Sequence, residues 1–351
     1  MLNTFCEDSN FNKDEIISFQ LTRDFKMPIK VRGMNFNLAK LFAKDTRKIA
    51  LKLLAIGEGE STINLENIEI SNICNLQCSF CPAVVRTKKL MGLELFERVI
   101  QQVAPLTEQV AFHLMGDPLV HPELEQMIEI CATYGVRIFF VTNGVLIKSR
   151  GHGLLLHPAM RQVNFSLHSF HDNFPERDAT AYLDSIFAFT DEALATRPDL
   201  YINYRLWNLH DVRGDRPENR SMMQAIEARY GAQVPRDLDV RSRKSYRLKG
   251  RLYLHFDTEF KWPSTDLPII GTQGKCYGLS THFGILADGS VVPCCLDKEG
   301  AITLGNLKTQ SIEEILRSER AQAMLDGFRR RALVESLCQR CNYIERFGVR
   351  V

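Results

Sequence analysis

Residues 63–82 read INLENIEISNICNLQCSFCP. The first eight of them alternate apolar and polar side chains, which predicts a β-strand over residues 63–70. Three cysteines follow at Cys74, Cys78 and Cys81, with the spacing C-x3-C-x2-C. Whatever these three thiols bind is therefore expected at the end of a strand, and the rest of the sequence is interpreted from that point.

Strand and helix patterns alternate downstream of this stretch. Strands are predicted at residues 110–115, 136–141, 163–167, 201–207 and 252–256, and helices around 96–103, 124–131 and 183–194. Cys131 falls on the apolar face of the second helix, where we expect it to pack in the core. Repeated strand–helix units predict a parallel sheet, either open or curled into a full or partial barrel, with the active site where strands end.

The chain is divided into three predicted parts. Residues 1–62 form an N-terminal extension of unknown role, in which a helical pattern over 38–54 ends near a glycine-containing junction at 57–59. Residues 63–262 form the strand–helix domain. Residues 263–351 form a smaller, cysteine-rich domain. In it Asp288-Gly289 predicts a two-residue hairpin turn between short strands, and residues 311–327 predict one helix that a capping box opens.

Composition excludes several classes of protein. The 351 residues are 45% hydrophobic and 25% charged, with a net charge of +2, which excludes wholesale disorder, collagen-like repeats and a disulfide miniprotein. The start of the chain lacks a signal-peptide pattern and no apolar run is long enough for a membrane span, so we expect a cytoplasmic protein without a membrane partner. In a reducing compartment ten cysteines indicate metal or redox chemistry rather than disulfides.

The first cysteine set has the chemistry of an open cluster. Three thiolates can hold three irons of a [4Fe–4S] cluster and leave the fourth iron without a protein ligand. The alternative is a zinc knuckle, but structural zinc usually has four protein ligands, and no histidine or fourth cysteine lies nearby in the sequence.

These residues resemble the signature of the radical SAM family, in which an aromatic residue, here Phe80, precedes the last cysteine. The resemblance implies a partial (β/α)6 barrel of the TIM type whose open iron binds the amino and carboxylate groups of S-adenosylmethionine. It also implies that an electron from the cluster splits this cofactor into methionine and a 5′-deoxyadenosyl radical, which abstracts hydrogen from a substrate.

Other strand ends extend the resemblance. The sequence MGDP at residues 115–118 is similar to the family's Gly-Gly-Glu-Pro element, and TNG at 142–144 is also common in the family, although both are equally typical of ordinary turns. The resemblance also places polar residues of the fourth and fifth strands against the cofactor, while His168 is equally a structural histidine. The residues implied to bind the cofactor are Phe80, Gly116, Asp117, Asn143, Ser166 and Arg205.

The second cysteine set has the spacing C-x17-C-x43-C-x2-C and consists of Cys276, Cys294, Cys338 and Cys341. Four thiolates bind either zinc or a fully ligated [4Fe–4S] cluster, and spacing alone does not choose between them. The sequences DGSVVPC at 288–294 and GNL at 305–307 resemble the SPASM/twitch extension of radical SAM enzymes, which implies one auxiliary [4Fe–4S] cluster. Cys295 is left out of this ligand set.

The resulting hypothesis is a radical SAM enzyme that oxidises or otherwise modifies a peptide or protein, with the auxiliary cluster as an electron conduit. The alternatives are dehydrogenation of a sugar-like alcohol or other small metabolite and, in another class, a non-enzymatic iron–sulfur or zinc protein. An electron donor such as flavodoxin or ferredoxin is implied. A basic segment over residues 236–251 either attracts an anionic substrate or is a solvated loop, which we favour, so a nucleic-acid partner is not favoured. No residue is assigned as a catalytic acid, base or hydrogen donor.

Overall fold

The computed structural model describes residues 29–31, 34–36 and 66–347, except Asp215, and the chain forms two compact units, Met1–Ala50 and Leu51–Val351. In the first unit, β1 (Ile29–Val31) pairs with β2 (Met34–Phe36) as an antiparallel hairpin. The helical pattern predicted over 38–54 and its glycine-containing junction lie outside the described residues.

The second unit contains a ten-stranded sheet with the order β12-β11-β10-β3-β4-β5-β6-β7-β9-β8. Six of these strands, β3, β4, β5, β6, β7 and β9, run parallel and confirm the predicted partial (β/α)6 barrel. The strands are β3 (Glu66–Ile68), β4 (Gln109–Phe112), β5 (Arg137–Thr142), β6 (Met160–Ser166), β7 (Tyr201–Leu209), β8 (Ser245–Lys249), β9 (Leu252–Thr258), β10 (Gly284–Ile285), β11 (Ser290–Val292) and β12 (Gly305–Asn306).

The α-helices that the structure describes in the second unit follow its strands along the chain. They are α1 (Leu93–Val103), α2 (Leu124–Thr133), α3 (His168–Asn173), α4 (Thr180–Thr196), α5 (Arg220–Tyr230), α6 (Ile312–Leu316) and α7 (Glu319–Arg329). The predicted apolar faces of α1 and α2 are buried, and Cys131 is fully buried in the core as expected. No helix in the described part of the chain is long and apolar enough to cross a membrane.

Alternation along the strands separates an apolar outer face from a polar lumen. In β7, Ile202, Tyr204 and Leu206 belong to the core, whereas the residues between them point to the other face of the sheet. Lumen side chains are hydrogen-bonded to one another: the Asn164 Oδ1 accepts from Gln162 Nε2 at 2.8 Å and from Asn203 Nδ2 at 3.0 Å. The lumen can therefore hold polar groups that the outer core excludes.

The cysteine-rich domain continues the barrel sheet. β10 runs parallel to β3, and β11 and β12 extend the sheet by antiparallel pairing. The first barrel strand, which leads into the first cysteine set, is therefore hydrogen-bonded to the strand that precedes Cys294. The domain boundary placed between residues 262 and 263 stays a prediction.

Two local predictions differ from the structure. The Asp288-Gly289 hairpin has a three-residue loop rather than a two-residue one, because Leu286 N donates to Ser290 O at 2.8 Å and Gly289 has a φ of +91°. The single helix predicted over 311–327 is two helices, because the Ser318 hydroxyl accepts from Ala321 N and starts α7 anew. The capping box of Ser311 and Glu314 is confirmed.

The basic segment is also more ordered than a solvated loop. It contains β8, the edge strand of the sheet, and several of its charges are paired. Arg236 contacts Glu227 at 2.6 Å and Lys244 contacts Asp257 at 2.7 Å. These pairs reduce the free positive charge that a nucleic acid would require.

Candidate functional site

The first cysteine set lies in the loop between β3 and α1. Cys74 and Cys81 are exposed and Cys78 is half-buried. The backbone turns tightly here, since Cys81 N donates to Cys78 O at 3.1 Å. A hydrogen bond from the Cys81 thiol, helped by the Asn173 amide, lowers the pKa of the Cys78 thiol to about 7, while burial raises the pKa of Cys74.

Helix α3 holds this loop from outside, with two residues that sequence reasoning missed. Asn173 accepts from Gln77 N at 2.8 Å and donates from Nδ2 to Cys78 Sγ at 3.1 Å. Asp172 accepts from Ser79 N at 2.6 Å. The available signal was a polar Asp-Asn pair shortly after the fourth barrel strand, at the end of the sheet where the cysteines lie.

Phe80 and His168 connect the loop to the barrel interior. Their ring centroids are 4.7 Å apart, and His168 Nδ1 donates to Arg205 O at 3.1 Å. Burial lowers the pKa of His168 to about 4, so the imidazole is neutral near pH 7. His168 therefore supports the loop as a neutral structural residue.

Gly116 is required by contact with the chain that leads into Cys74. Its φ is +74°, and an added Cβ would lie 2.6 Å from Ile73 O and 2.9 Å from Ile73 N. Asp117 N also donates to Ile73 O at 3.0 Å. The MGDP element therefore positions the start of the cysteine loop. The close contact with Ile73 explains the glycine more specifically than backbone freedom alone.

Asp117 is buried and ties three elements together. Its carboxylate accepts from Leu119 N at 2.9 Å, from Thr142 Oγ1 at 2.8 Å and from Asn143 N at 2.7 Å. Burial raises the pKa of Asp117 despite these bonds. Its side chain is engaged by the protein, so it acts here as a support for the β5 end.

Asn143 continues this support into the cysteine loop. Its Nδ2 donates to Asn75 Oδ1 at 2.8 Å and lies 3.7 Å from Cys74 Sγ. On the neighbouring strands, Ser166 is half-buried and pairs in register with Arg205, which is buried on the lumen face of β7. Phe80, Gly116, Asp117, Asn143 and Ser166 thus lie in or beside the loops at the thiol end of the barrel, whereas the Arg205 guanidinium lies in the lumen beside Trp207 and Phe139. Their roles toward the cofactor stay predictions.

The second cysteine set is assembled from three segments. Cys294 follows β11, Cys338 and Cys341 flank a 3₁₀ turn (Cys338–Arg340), and Cys276 lies between the barrel and β10. Burial and the neighbouring thiols raise the pKa of Cys294, and burial raises that of Cys341 to about 11. The four predicted thiols are therefore close neighbours in a dry environment.

Cys295 lies beside this set, although it was left out of the predicted ligands. Its thiol interacts electrostatically with Cys276 and Cys341, and burial raises its pKa to about 11. Its side chain packs against a small apolar cluster of Leu114, Leu286 and Val292. Its position directly after Cys294 in the sequence was the available signal for this proximity.

A set of ion pairs and hydrogen bonds joins the two cysteine regions. Arg86 binds Glu69 in a bidentate, mostly buried ion pair at 2.8–3.1 Å and donates from Nε to Lys298 O at 2.6 Å. The Glu299 carboxylate accepts from the backbone N–H groups of Val85 and Arg86, each at 3.2 Å. The chain following Cys81 is therefore held by the loop following Cys295.

The donor chemistry of both thiol sets fits iron–sulfur clusters. The first set offers three thiols on one loop, and the second offers four thiols from neighbouring segments. Thiolates are the protein ligands that hold such clusters.

Comparisons with known proteins agree with this geometry. The model of the radical SAM superfamily matches residues 68–201, and that of SPASM, an iron–sulfur cluster-binding domain, matches residues 276–342. The chain therefore contains a radical SAM domain followed by a C-terminal SPASM domain. The radical SAM domain implies a [4Fe–4S] cluster with S-adenosylmethionine, and the SPASM domain implies auxiliary iron–sulfur binding.

Two curated relatives are named GTP 3′,8-cyclase. The protein of Chlorobaculum tepidum is 26% identical over 175 residues, covering 48% of this chain and 52% of the relative. That of Rhodococcus opacus is 32% identical over 110 residues, covering 29% and 31%. The chain thus spans about half or less of the length of these relatives.

A solved structure with a similar fold is Streptococcus suis SuiB bound to S-adenosylmethionine. It has a TM-score of 0.55 and 14% identity, and the match covers 85% of this chain and 76% of SuiB. At this identity the similarity concerns the fold.

Proposed function

We propose that this protein cleaves S-adenosylmethionine reductively and abstracts hydrogen from a substrate, and that the net reaction oxidises or otherwise modifies a peptide or protein. The observation that carries the proposal is the loop of Cys74, Cys78 and Cys81, which offers three thiols on one exposed turn at the end of the first barrel strand. Three ligands leave one iron of a cubane available to a ligand other than protein.

This chain's residues have distinct roles in the proposal. Cys74, Cys78 and Cys81 hold the cluster, and Phe80, Gly116, Asn143 and Ser166 surround S-adenosylmethionine, with Asp117 positioning the β5 end. When bound, the cluster supplies one electron that splits the cofactor and yields the hydrogen-abstracting radical. The protein's contribution is to orient the groups and to exclude water around them.

The second thiol set is proposed to hold one auxiliary [4Fe–4S] cluster through Cys276, Cys294, Cys338 and Cys341. Four protein ligands leave no open iron, so this centre would exchange electrons rather than bind substrate. The half-buried thiols and the pairing of β3 with β10 support a fixed position for this cluster near the barrel.

The substrate class is less constrained than the chemistry. A peptide or protein is the leading class by resemblance to radical SAM enzymes with this extension. A small anionic metabolite is the second candidate, because the curated relatives carry GTP in their name and the barrel lumen contains a buried arginine. A flavodoxin or ferredoxin is the proposed electron donor and the reducing cytoplasm the proposed location.

The proposal is tested by following 5′-deoxyadenosine in anaerobic incubations of reconstituted protein with S-adenosylmethionine and dithionite. The parent should form it, and Cys78→Ala should lose it to the detection limit, because that change removes one of three cluster ligands. Cys131→Ala, a change in the core far from either thiol set in the fold, is the matched control and should retain it. Protein with a reducible first cluster that forms none, with or without cell extract, would refute the proposal.

A further inference from the structure

Arg205 is a charged side chain in an unusual environment. It lies on the lumen face of β7 and is only 7% exposed. Its guanidinium lies 4.3 Å from the centroid of the Trp207 ring and 5.5 Å from that of Phe139. Two aromatic faces therefore hold the cation in place without neutralising it.

Among the residues that the structure describes, no carboxylate pairs with this charge, and no ion pair or hydrogen bond involves the Arg205 guanidinium. Burial lowers the pKa of Arg205 to about 9, which measures how poorly its surroundings solvate the charge. A buried arginine is usually paired with a carboxylate. Arg86 is an example in this protein, because two of its guanidinium nitrogens donate to the Glu69 carboxylate.

A second donor faces the same region from β9. The Trp207 Nε1–H donates to His255 Nδ1 at 2.8 Å. Because an indole nitrogen only donates, His255 Nδ1 carries the lone pair, and the neutral ring has its proton on Nε2. In the described residues that Nε2–H has no acceptor.

His113 adds a third group, from the end of β4. Burial, together with the positive charge of Arg205, lowers the pKa values of His113 and His255 to about 4, so both rings are neutral near pH 7. The nearest acidic residue along β9, Asp257, is bound by Lys244 at 2.7 Å. The lumen therefore contains the cationic Arg205 and the neutral rings of His113 and His255. The nearby carboxylate of Asp257 is paired with Lys244.

We propose that Arg205 and His255 bind a carboxylate or phosphate group of the substrate inside the barrel, so that the substrate of this enzyme is anionic. The placement of the two residues favours the substrate over the cofactor. Arg205 and His255 pair in register on β7 and β9, the last two parallel strands of the barrel, whereas Phe80, Gly116 and Asn143 lie in the loops that follow β3, β4 and β5. In this proposal the anionic group at Arg205 belongs to the substrate, which replaces the cofactor-binding role that the resemblance implies for Arg205.

This inference deepens the proposed function and rests on it for the reaction, but its test needs no turnover. Holoprotein with both clusters reconstituted would be titrated with inorganic phosphate and with acetate by calorimetry, with and without saturating S-adenosylmethionine and without reductant. We expect binding of at least one of the two anions at one site per chain, undiminished by the cofactor. Tighter phosphate binding would indicate a phosphorylated substrate, and tighter acetate binding a carboxylate.

Variants separate the two possible roles of Arg205. Arg205→Met should weaken the binding of the anion by about 10- to 100-fold, as expected for loss of a charge-assisted hydrogen bond, and leave cofactor affinity within about 2-fold. His255→Phe should weaken anion binding by about 5-fold. Arg161→Met is the matched control, because Arg161 also stacks on an aromatic ring, that of Tyr201 at 5.1 Å, but is exposed.

Three results would overturn the anion site. They are the absence of phosphate and acetate binding to the parent, competition between the anion and S-adenosylmethionine, and a loss of cofactor affinity of about 10-fold or more in Arg205→Met. If Arg205→Met fails to retain its clusters, Arg205→Lys and the competition experiment on the parent decide the question. A chain that binds the anion but never forms 5′-deoxyadenosine would refute the proposed function alone.

Discussion

The two cysteine sets differ in where their thiols come from and in how far water reaches them. The first set lies within residues 74–81 of one loop, and two of its three thiols are exposed. The second set is drawn from three segments between residues 276 and 341, and its four thiols are half-buried, with raised pKa values. An exposed local loop suits a centre that exchanges a ligand, whereas a half-buried set from distant segments suits a centre closed by protein.

The difference also shows in the supports around each set. The first loop is held by side chains from other parts of the barrel, including Asn173 of α3 and Asn143 after β5. The second set is held by its own segments and by the core beneath it. Reactivity at the first set is therefore adjustable by single hydrogen bonds, while the second depends on the folding of its domain.

The largest expected effect is the separation of the two centres by Cys294→Ala. Loss of a buried ligand should reduce the iron content from about eight to about four per chain. Reductive cleavage of S-adenosylmethionine should persist, because the first set is intact, while the auxiliary cluster's signal in electron paramagnetic resonance disappears. Iron quantitation and 5′-deoxyadenosine formation check this. Loss of cofactor cleavage in a variant that keeps its first cluster would show that the two centres are not independent.

A smaller difference is expected in the rate of iron loss. An iron chelator added after mild oxidation should remove the first cluster before the auxiliary one, because water and chelator reach Cys74 and Cys81 directly. The measurement is the time course of iron release together with the spectrum of the cluster that remains. Simultaneous release of all iron, or earlier loss of the auxiliary signal, would contradict the comparison.

The smallest expected effect concerns one hydrogen bond. Asn173→Asp keeps an acceptor for Gln77 N but replaces the Nδ2 donor to Cys78 Sγ with negative charge. Hydrogen bonds to cluster sulfurs raise the reduction potential. Losing one worth about 1 kcal/mol should lower the potential of the first cluster by about 40 mV, to which the added charge contributes in the same direction.

Asp172→Asn is the matched variant for this prediction. It keeps an oxygen acceptor for Ser79 N and removes one negative charge near the same thiol, so the potential should rise. Potentiometric titration of the first cluster measures both shifts. Equal shifts of the same sign in the two variants would show that loop disorder, rather than electrostatics, is responsible.

Much of the fold was predictable because its signals are local. The apolar faces of α1 and α2, the buried Cys131 and the parallel barrel strands all follow from periodicity along short segments. The break between α6 and α7 was missed because Ser318 lies within a continuous helical pattern, and only its hydroxyl bond to Ala321 N starts the new helix. The edge strand β8 was not predicted, because the basic segment that contains it, residues 236–251, carries seven positive charges and was interpreted as a solvated loop.

The sequence by itself determined that three thiols lie in one loop after a strand, because C-x3-C-x2-C is a property of neighbouring residues. Only the tertiary structure decided that Gly116 contacts Ile73, that Asn173 donates to Cys78 and that β10 lies beside β3. It also decided that Arg205 lies beside Trp207 in the lumen, with no counter-ion among the described residues. These relations join residues from roughly 40 to over 200 positions apart, or depend on what is missing around a side chain. The packing of distant segments determines which groups surround a side chain, and a local sequence pattern does not contain that information.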